Sequence, residues 1–233
     1  MKRWLESLCG LIWPPKCPSC GSETEMRGMW CEQCLAEVWA LRQLSVPQRG
    51  PLTMCTALVH YHGGVKVVLR DMKFRGKKKD ALCLTSLLER MPASRLAGDC
   101  DVVVPVPISE HKRRVRGFNQ TEVLFESWAR ENGLDWRADA LVRVRDTEAQ
   151  WRLGKRERKA NLVDAFAVAD ADAVRGKCVL LVDDIYTTGA TMEVCASLLL
   201  KAGALSVKGL VMASESIKKE TSPKENSSED KQG

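Results

Sequence analysis

From Val179 to Val182 the chain holds four apolar residues without a break, the pattern of a strand covered on both faces. At Asp183-Asp184 the pattern turns abruptly to two carboxylates, followed by Thr187-Thr188-Gly189-Ala190-Thr191. Apolar residues then recur at helical spacing, at Met192, Cys195, Leu198, Leu199 and Ala202, until Gly203 ends the run. The same alternation fills the middle of the chain. Cys55–Tyr61 reads as a strand, and a helix from Val65 carries Val68, Leu69 and Met72 on one face. A second helix is expected over Asp80–Met91 and a second buried strand over Val102–Ile108. Pro105 and Pro107 lack ladder donors, so pairing should stop there. A further helix reaches Trp128, and Ala204–Met212 reads as the last strand. Strands alternating with helices predict an α/β domain built on a mainly parallel sheet.

The order strand, loop, helix places Asp183–Thr191 at the carboxyl end of a strand, where open α/β sheets bind ligands. Its residue types suit a phosphate monoester. Thr187, Thr188, Gly189, Ala190 and Thr191 offer backbone N–H groups, three hydroxyls and little bulk. The helix that follows adds a positive dipole end. Asp183 and Asp184 would repel a phosphate, but they accept hydrogen bonds from vicinal hydroxyls such as those of a ribose. A Walker-type loop needs Gly-Lys-Ser/Thr and a dinucleotide fold needs Gly-x-Gly-x-x-Gly; the chain has neither here. A plain strand-turn-helix with Thr188 or Thr191 as N-cap is the bland alternative.

The 233 residues allow one medium domain plus an appendage, and an apolar fraction of 45% supports a true core. The net charge of +6 favours an anionic partner without demanding nucleic acid. The amino-terminal apolar run is short and broken by Glu6, so no signal peptide is expected, and no run approaches a membrane-spanning length. A reducing cytosol follows as the expected compartment, and the ten cysteines read as metal ligands or buried thiols. Cys17-Pro-Ser-Cys20 and Cys31-Glu-Gln-Cys34 form two Cys-x-x-Cys knuckles. Each knuckle brings two thiolates to one ion, and two knuckles make the four-sulfur tetrahedron of structural zinc. Cys9, Cys55, Cys83, Cys100, Cys178 and Cys195 share no spacing and read as small core hydrophobes.

Residues 1–13 place Trp4, Leu5, Leu8, Leu11 and Ile12 on one helical face, to dock on the protein itself or on a membrane surface. Pro47–Pro51 marks the expected boundary between an amino-terminal unit (1–46) and the main domain (52–213). Residues 214–233 are Lys-, Glu- and Ser-rich and are expected to be disordered. Two segments concentrate cations. Lys112, Arg113, Arg114 and Arg116 follow the second strand, and Arg152, Lys155, Arg156, Arg158 and Lys159 lie in a polar stretch, 141–161. Both should flank the carboxyl end of the sheet, forming a rim for a strand's phosphates with Trp151 as a stacking platform. Alternatively these cations serve only the phosphates of a small ligand.

The stretch Asp183–Thr191 resembles the phosphoribosyl pyrophosphate (PRPP) signature of type I phosphoribosyltransferases, matched without a gap. With the cysteine knuckles, Lys73-Phe74-Arg75-Gly76, Val104–Pro107, Arg116–Gln120, Thr147, Gln150, Arg156 and Asn161, the chain resembles the ComF family, including its GntX-like members. The resemblance implies a type I phosphoribosyltransferase fold behind a small four-cysteine zinc finger. It implies that PRPP binds with Mg²⁺, that the loop after Val104–Pro107 holds pyrophosphate, and that 141–161 acts as a hood over the ligand. It further implies natural competence: handling of single-stranded DNA with DNA-uptake proteins, in the cytoplasm at the inner face of the membrane. An active transferase of nucleotide metabolism and a non-catalytic PRPP sensor are the competing readings, because a fold and its ligand loop do not fix a reaction.

Overall fold

The computed structural model describes residues 14–145, 162 and 164–215. The helix expected over 1–13 and the cations Arg152, Lys155, Arg156, Arg158 and Lys159, with Trp151, lie outside the described residues, as does most of the expected tail.

A six-stranded sheet organises the chain. Its strands are β1 (Trp39–Gln43), β2 (Met54–His60), β3 (Val102–Pro105), β4 (Asp135–Trp136), β7 (Cys178–Tyr186) and β8 (Ser206–Ser214). They lie in the order β1-β2-β8-β7-β3-β4, and all neighbours run parallel except β1 and β2. β7 lies in the interior of the sheet, which explains its unbroken apolar run: Val179 and Leu181 face one core, Leu180 and Val182 the other. The core under Leu180 and Val182 also takes α1 (Glu32–Val38), α2 (Gly63–Arg75), α3 (Leu82–Leu88) and α6 (Gln120–Glu131). The opposite core takes α7 (Ala190–Lys201) and an antiparallel ribbon of β5 (Leu141–Arg143) with β6 (Phe166–Val168).

Several boundaries differ from the sequence expectation. β3 stops at Pro105, three residues early, although Val106 still donates to Val182 O at 2.9 Å. β7 continues past Val182 to Tyr186 because β8 extends beside it to Ser214. Asp183 and Asp184 therefore stand on a paired strand rather than on a free loop. Ser214, expected to open the tail, is a buried β8 residue whose carbonyl and hydroxyl accept from Arg42 Nη2 at 3.1 and 2.5 Å. The helix expected over Asp80–Met91 begins as a 3₁₀ turn at Lys78–Ala81 and ends at Leu88; Pro92 then leads into α4 (Ala93–Ala97). The cations after β3 form a helix of their own, α5 (Glu110–Arg116), ended by Gly117.

The boundary expected at Pro47–Pro51 falls between β1 and β2, two hydrogen-bonded strands of one sheet. Cys17, Trp30, Cys34 and Val38 of the amino-terminal unit share a continuous core with α2, α3 and α6. Gly64 at the start of α2 shows how close the two parts come. A β-carbon there would lie 2.8 Å from Ser19 Cα, and its N–H donates to Ser19 Oγ at 3.1 Å. Trp30 Nε1 donates to Cys83 O at 2.7 Å, fastening the same unit to α3.

Candidate functional site

The chain leaves β3 toward β4 on one side, while β7 pairs on the other. The connection direction therefore reverses between β3 and β7, and open α/β sheets form a ligand crevice at such a switch point. A cavity of about 380 Å³ lies there. Among the segments that meet in it are Asp183–Ile185 at the end of β7 with Thr187 and Thr191 beyond it, Val106–Ile108 after β3, and Lys112 and Arg116 from α5. A smaller adjoining hollow of about 30 Å³ is wrapped by Thr187–Met192.

That hollow has the geometry of an anion cradle. β7 ends at Tyr186 and α7 begins at Ala190, so Thr187–Gly189 connect strand to helix in three residues, with the helix's first turn at the hollow. Gly189 takes φ +78° as the N-cap of α7, and the space of a β-carbon there is filled by the Tyr186 ring. The Thr188 hydroxyl accepts from Ala190 N at 3.4 Å and shapes the turn.

The two carboxylates differ in setting. Asp183 Oδ1 accepts from Asp184 N at 2.8 Å and from the Thr121 hydroxyl at 3.4 Å. Burial, and then the adjacent Asp184 carboxylate, push the Asp183 carboxyl well above the ordinary range. The site thus concentrates negative charge that a cation or hydroxyl donors would relieve. Arg116 feels the same field: burial lowers its pKa and Asp184 opposes that shift. Its Nη1 donates to Gln120 Oε1 at 3.0 Å, and Gln120 Nε2 donates to Leu69 O at 3.1 Å, so the guanidinium is tethered through α6 to α2. Asn119 caps α6, its Oδ1 accepting from Thr121 N at 3.1 Å, and its amide reaches back to Val106 O at 3.2 Å. One buried side chain thereby joins the β3 loop to the helix that holds Thr121.

Of the predicted rim, Lys112 and Arg116 line the cavity. Arg113 is instead ion-paired with Glu122 of α6, and Arg114 is exposed, 3.9 Å from Glu110. Sequence reasoning assigns no site role to Thr121, Asn119 or Gln120, although the motif Arg116–Gln120 contains two of them, nor to Tyr61 and Lys73, which also border the cavity; Arg143, which borders it too, falls within the expected hood, 141–161. These last three come from the end of β2, from α2 and from β5, segments far apart in the chain, so no local spacing could group them.

The four knuckle cysteines come together as predicted, their Sγ atoms all within 4.8 Å of one another. The Cys20–Cys31 Sγ separation of 3.7 Å matches the edge of a tetrahedron with metal–sulfur bonds of about 2.3 Å. The residues therefore fit a four-coordinate ion and leave no ligand position open. The Ser22 hydroxyl, 3.0 Å from Cys20 Sγ, brings that thiol down to about 6. Burial pushes Cys34 of the second knuckle up to about 12, and likewise raises the scattered cysteines, Cys55 and Cys83 to about 12 and Cys100 to about 11. The thiols of Cys55, Cys83 and Cys100 stay protonated and pack as small apolar groups.

Residues 142–232 match the phosphoribosyl transferase domain family. The chain is 31% identical over 196 residues to the DNA utilization protein YhgH of Escherichia coli (strain K12), covering 82% of this chain and 81% of that protein. It is 26% identical over 209 residues to competence protein F of Haemophilus influenzae, 85% of each chain. It is 29% identical over 197 residues to competence protein ComFC of Bacillus subtilis (strain 168), 84% of this chain and 76% of that one. Matched to such relatives over most of its length, with the strand order and switch-point cavity described above, the chain belongs to the ComF family and carries a type I phosphoribosyltransferase fold behind its cysteine cluster.

Proposed function

We propose that this protein binds PRPP with Mg²⁺ and acts in the uptake and handling of single-stranded DNA in natural competence. The observation that carries the first half is the meeting of diol acceptors, anion cradle and cations in one cavity. Asp183 and Asp184 take the ribose hydroxyls, and Thr187, Thr188, Gly189, Ala190 and Thr191 cradle the 5′-phosphate. The backbone after β3, with Lys112 and Arg116, faces the pyrophosphate and its Mg²⁺. The proposed ion of the cysteine cluster is structural Zn²⁺, held by Cys17, Cys20, Cys31 and Cys34. Names of relatives, "competence" and "DNA utilization", support the second half. We place the protein in the cytoplasm, at the inner face of the membrane during uptake; among the described residues no helix is long and apolar enough to cross one.

Gly189→Ala tests the cradle. Forcing a β-carbon into the left-handed region costs about 1–2 kcal/mol, and Tyr186 must also move. PRPP affinity by calorimetry should fall about tenfold or more, and the same strain should lower the thermal midpoint by a few degrees. Unaltered affinity would place the phosphate elsewhere.

Strand binding is tested by fluorescence anisotropy with a labelled oligonucleotide across a salt series. Affinity should fall with salt, with a slope of about −0.7 per neutralised phosphate. Arg114→Ala should flatten the slope by about that amount, because this guanidinium is exposed and only loosely paired. Arg113→Ala should change it less, since Arg113 is spent on Glu122. No binding at low salt would end this half of the proposal.

A further inference from the structure

The sequence Lys73-Phe74-Arg75-Gly76-Lys77-Lys78-Lys79 has no part in the site just assigned beyond Lys73, which borders the cavity. All seven of its residues are exposed. α2 turns Val65, Val68, Leu69 and Met72 into the core and ends at Arg75, leaving Phe74 on the outer side of its last turn with 72% of the residue in contact with solvent. The Phe74 ring is the one apolar group of this stretch, set among five cations. Lys73 Nζ lies 5.7 Å from the ring centroid. The turn beyond is built rather than loose: Gly76 N and Lys77 N both donate to Asp71 O, Lys77 Nζ reaches Asp71 Oδ2 at 2.7 Å, and Lys78 N donates to Gly76 O at 2.8 Å. α2 packs beside α5, and Lys73 of this stretch borders the cavity together with Lys112 and Arg116 of α5, while Lys77 and Lys79 line a separate hollow beside Pro14–Pro18.

An exposed flat ring carried by a fixed helix end, with cations on either side, matches what a single strand requires. Bases stack on an aromatic face whatever their identity, while neighbouring Lys and Arg follow the phosphates. Val67, two turns earlier on the same face of α2, is the one other large apolar residue this helix exposes, and a membrane-surface helix would ask for a wider apolar face. We infer that Phe74 is a base-stacking platform for single-stranded nucleic acid, with Lys73, Lys78 and Lys79 tracking the adjacent phosphates, so that the strand runs from this turn toward the PRPP cavity. The inference rests on the strand-binding reading above and places its aromatic contact on α2, among described residues, rather than at Trp151.

The test compares full-length wild type, Phe74→Ala, Phe74→Leu and Phe74→Trp by anisotropy with a labelled oligothymidylate and with an oligonucleotide of the same length carrying abasic sites. Stacking one base predicts that Phe74→Ala weakens oligothymidylate binding about fivefold to about a hundredfold. The salt slope should stay unchanged, because no cation is removed. Phe74→Leu should behave like Phe74→Ala, and Phe74→Trp should bind at least as well as wild type. Abasic sites should cost wild type more than they cost Phe74→Ala. The exposed position predicts equal thermal midpoints for all four. If wild type binds the oligonucleotide and Phe74→Ala binds it equally, with the same abasic penalty, the platform is refuted while strand binding stands. If wild type does not bind at low salt, the strand-binding reading fails and this inference with it. If Phe74→Ala loses affinity only for vesicles of phosphatidylglycerol and phosphatidylcholine in equal parts, the ring serves a lipid surface and the inference is overturned.

Discussion

Cys34→Ser should strip the amino-terminal unit of its ion and unfold it, lowering the thermal midpoint of the whole chain by many degrees. The expectation follows from where Cys34 sits. It is buried in the same core as Trp30 and Val38 of its own unit and Leu69, Met72, Leu84 and Leu87 of α2 and α3. Binding a structural zinc contributes apparent free energies of about 10–16 kcal/mol, comparable with the entire stability of a domain. A unit this small has little core of its own, so an ion in the cysteine cluster would be the main term holding it. Its loss would also bare the surfaces around Ser19, Gly64 and Cys83 that it covers. Elemental analysis of the purified protein should find about one zinc per chain in the wild type. The variant, and Cys20→Ser beside it, should lose it. Zinc content well below one per chain in the wild type, unchanged by either substitution, would remove the ion from the account.

Replacing both acids, Asp183→Ala/Asp184→Ala, should abolish PRPP binding at ordinary concentrations while leaving the free protein as stable as before or more so. Each hydrogen bond from a ribose hydroxyl to a carboxylate contributes about 1.5–3 kcal/mol. Losing one to each acid weakens affinity roughly a hundredfold to ten-thousandfold. Without ligand the balance reverses. Burial and the neighbouring charge already hold the Asp183 carboxyl well above its usual range, so removing the pair relieves repulsion. Against that relief, the Asp184 N–H loses its 2.8 Å acceptor and Thr121 a long, weak one at 3.4 Å, which offsets part of the gain. A gain in stability joined to a loss of binding distinguishes a ligand site from a structural pair.

The sheet's strands are legible wherever burial on both faces leaves an unbroken apolar run, as at Val179–Val182 and Val102–Val104. Their ends are less so, because pairing partners decide them. β7 extends over its polar residues only because β8 runs beside it, and nothing local in Asp183-Asp184 signals a strand. The strand-to-helix turn at Thr187–Gly189 and the cysteine knuckles are legible for the opposite reason: each is a short continuous spacing whose chemistry is local. The walls of the cavity are not. Tyr61, Lys73 and Arg143 reach it from separate elements, and Asn119 and Thr121 matter through contacts made across the fold, to Val106 and Asp183. The pairing of Arg113 with Glu122 is hidden likewise, since it needs the turn at Gly117 that folds α5 back on α6. The join between the amino-terminal unit and the sheet is concealed because Pro47–Pro51 is a turn between paired strands that reads like a linker.

Titration calorimetry of the full-length protein with PRPP in the presence of Mg²⁺, run beside the Asp183→Ala/Asp184→Ala variant, addresses the central claim most directly. The account predicts saturable binding of one PRPP per chain by the wild type, dependent on Mg²⁺, and no measurable heat with the variant. Wild-type affinity in the double variant would contradict it.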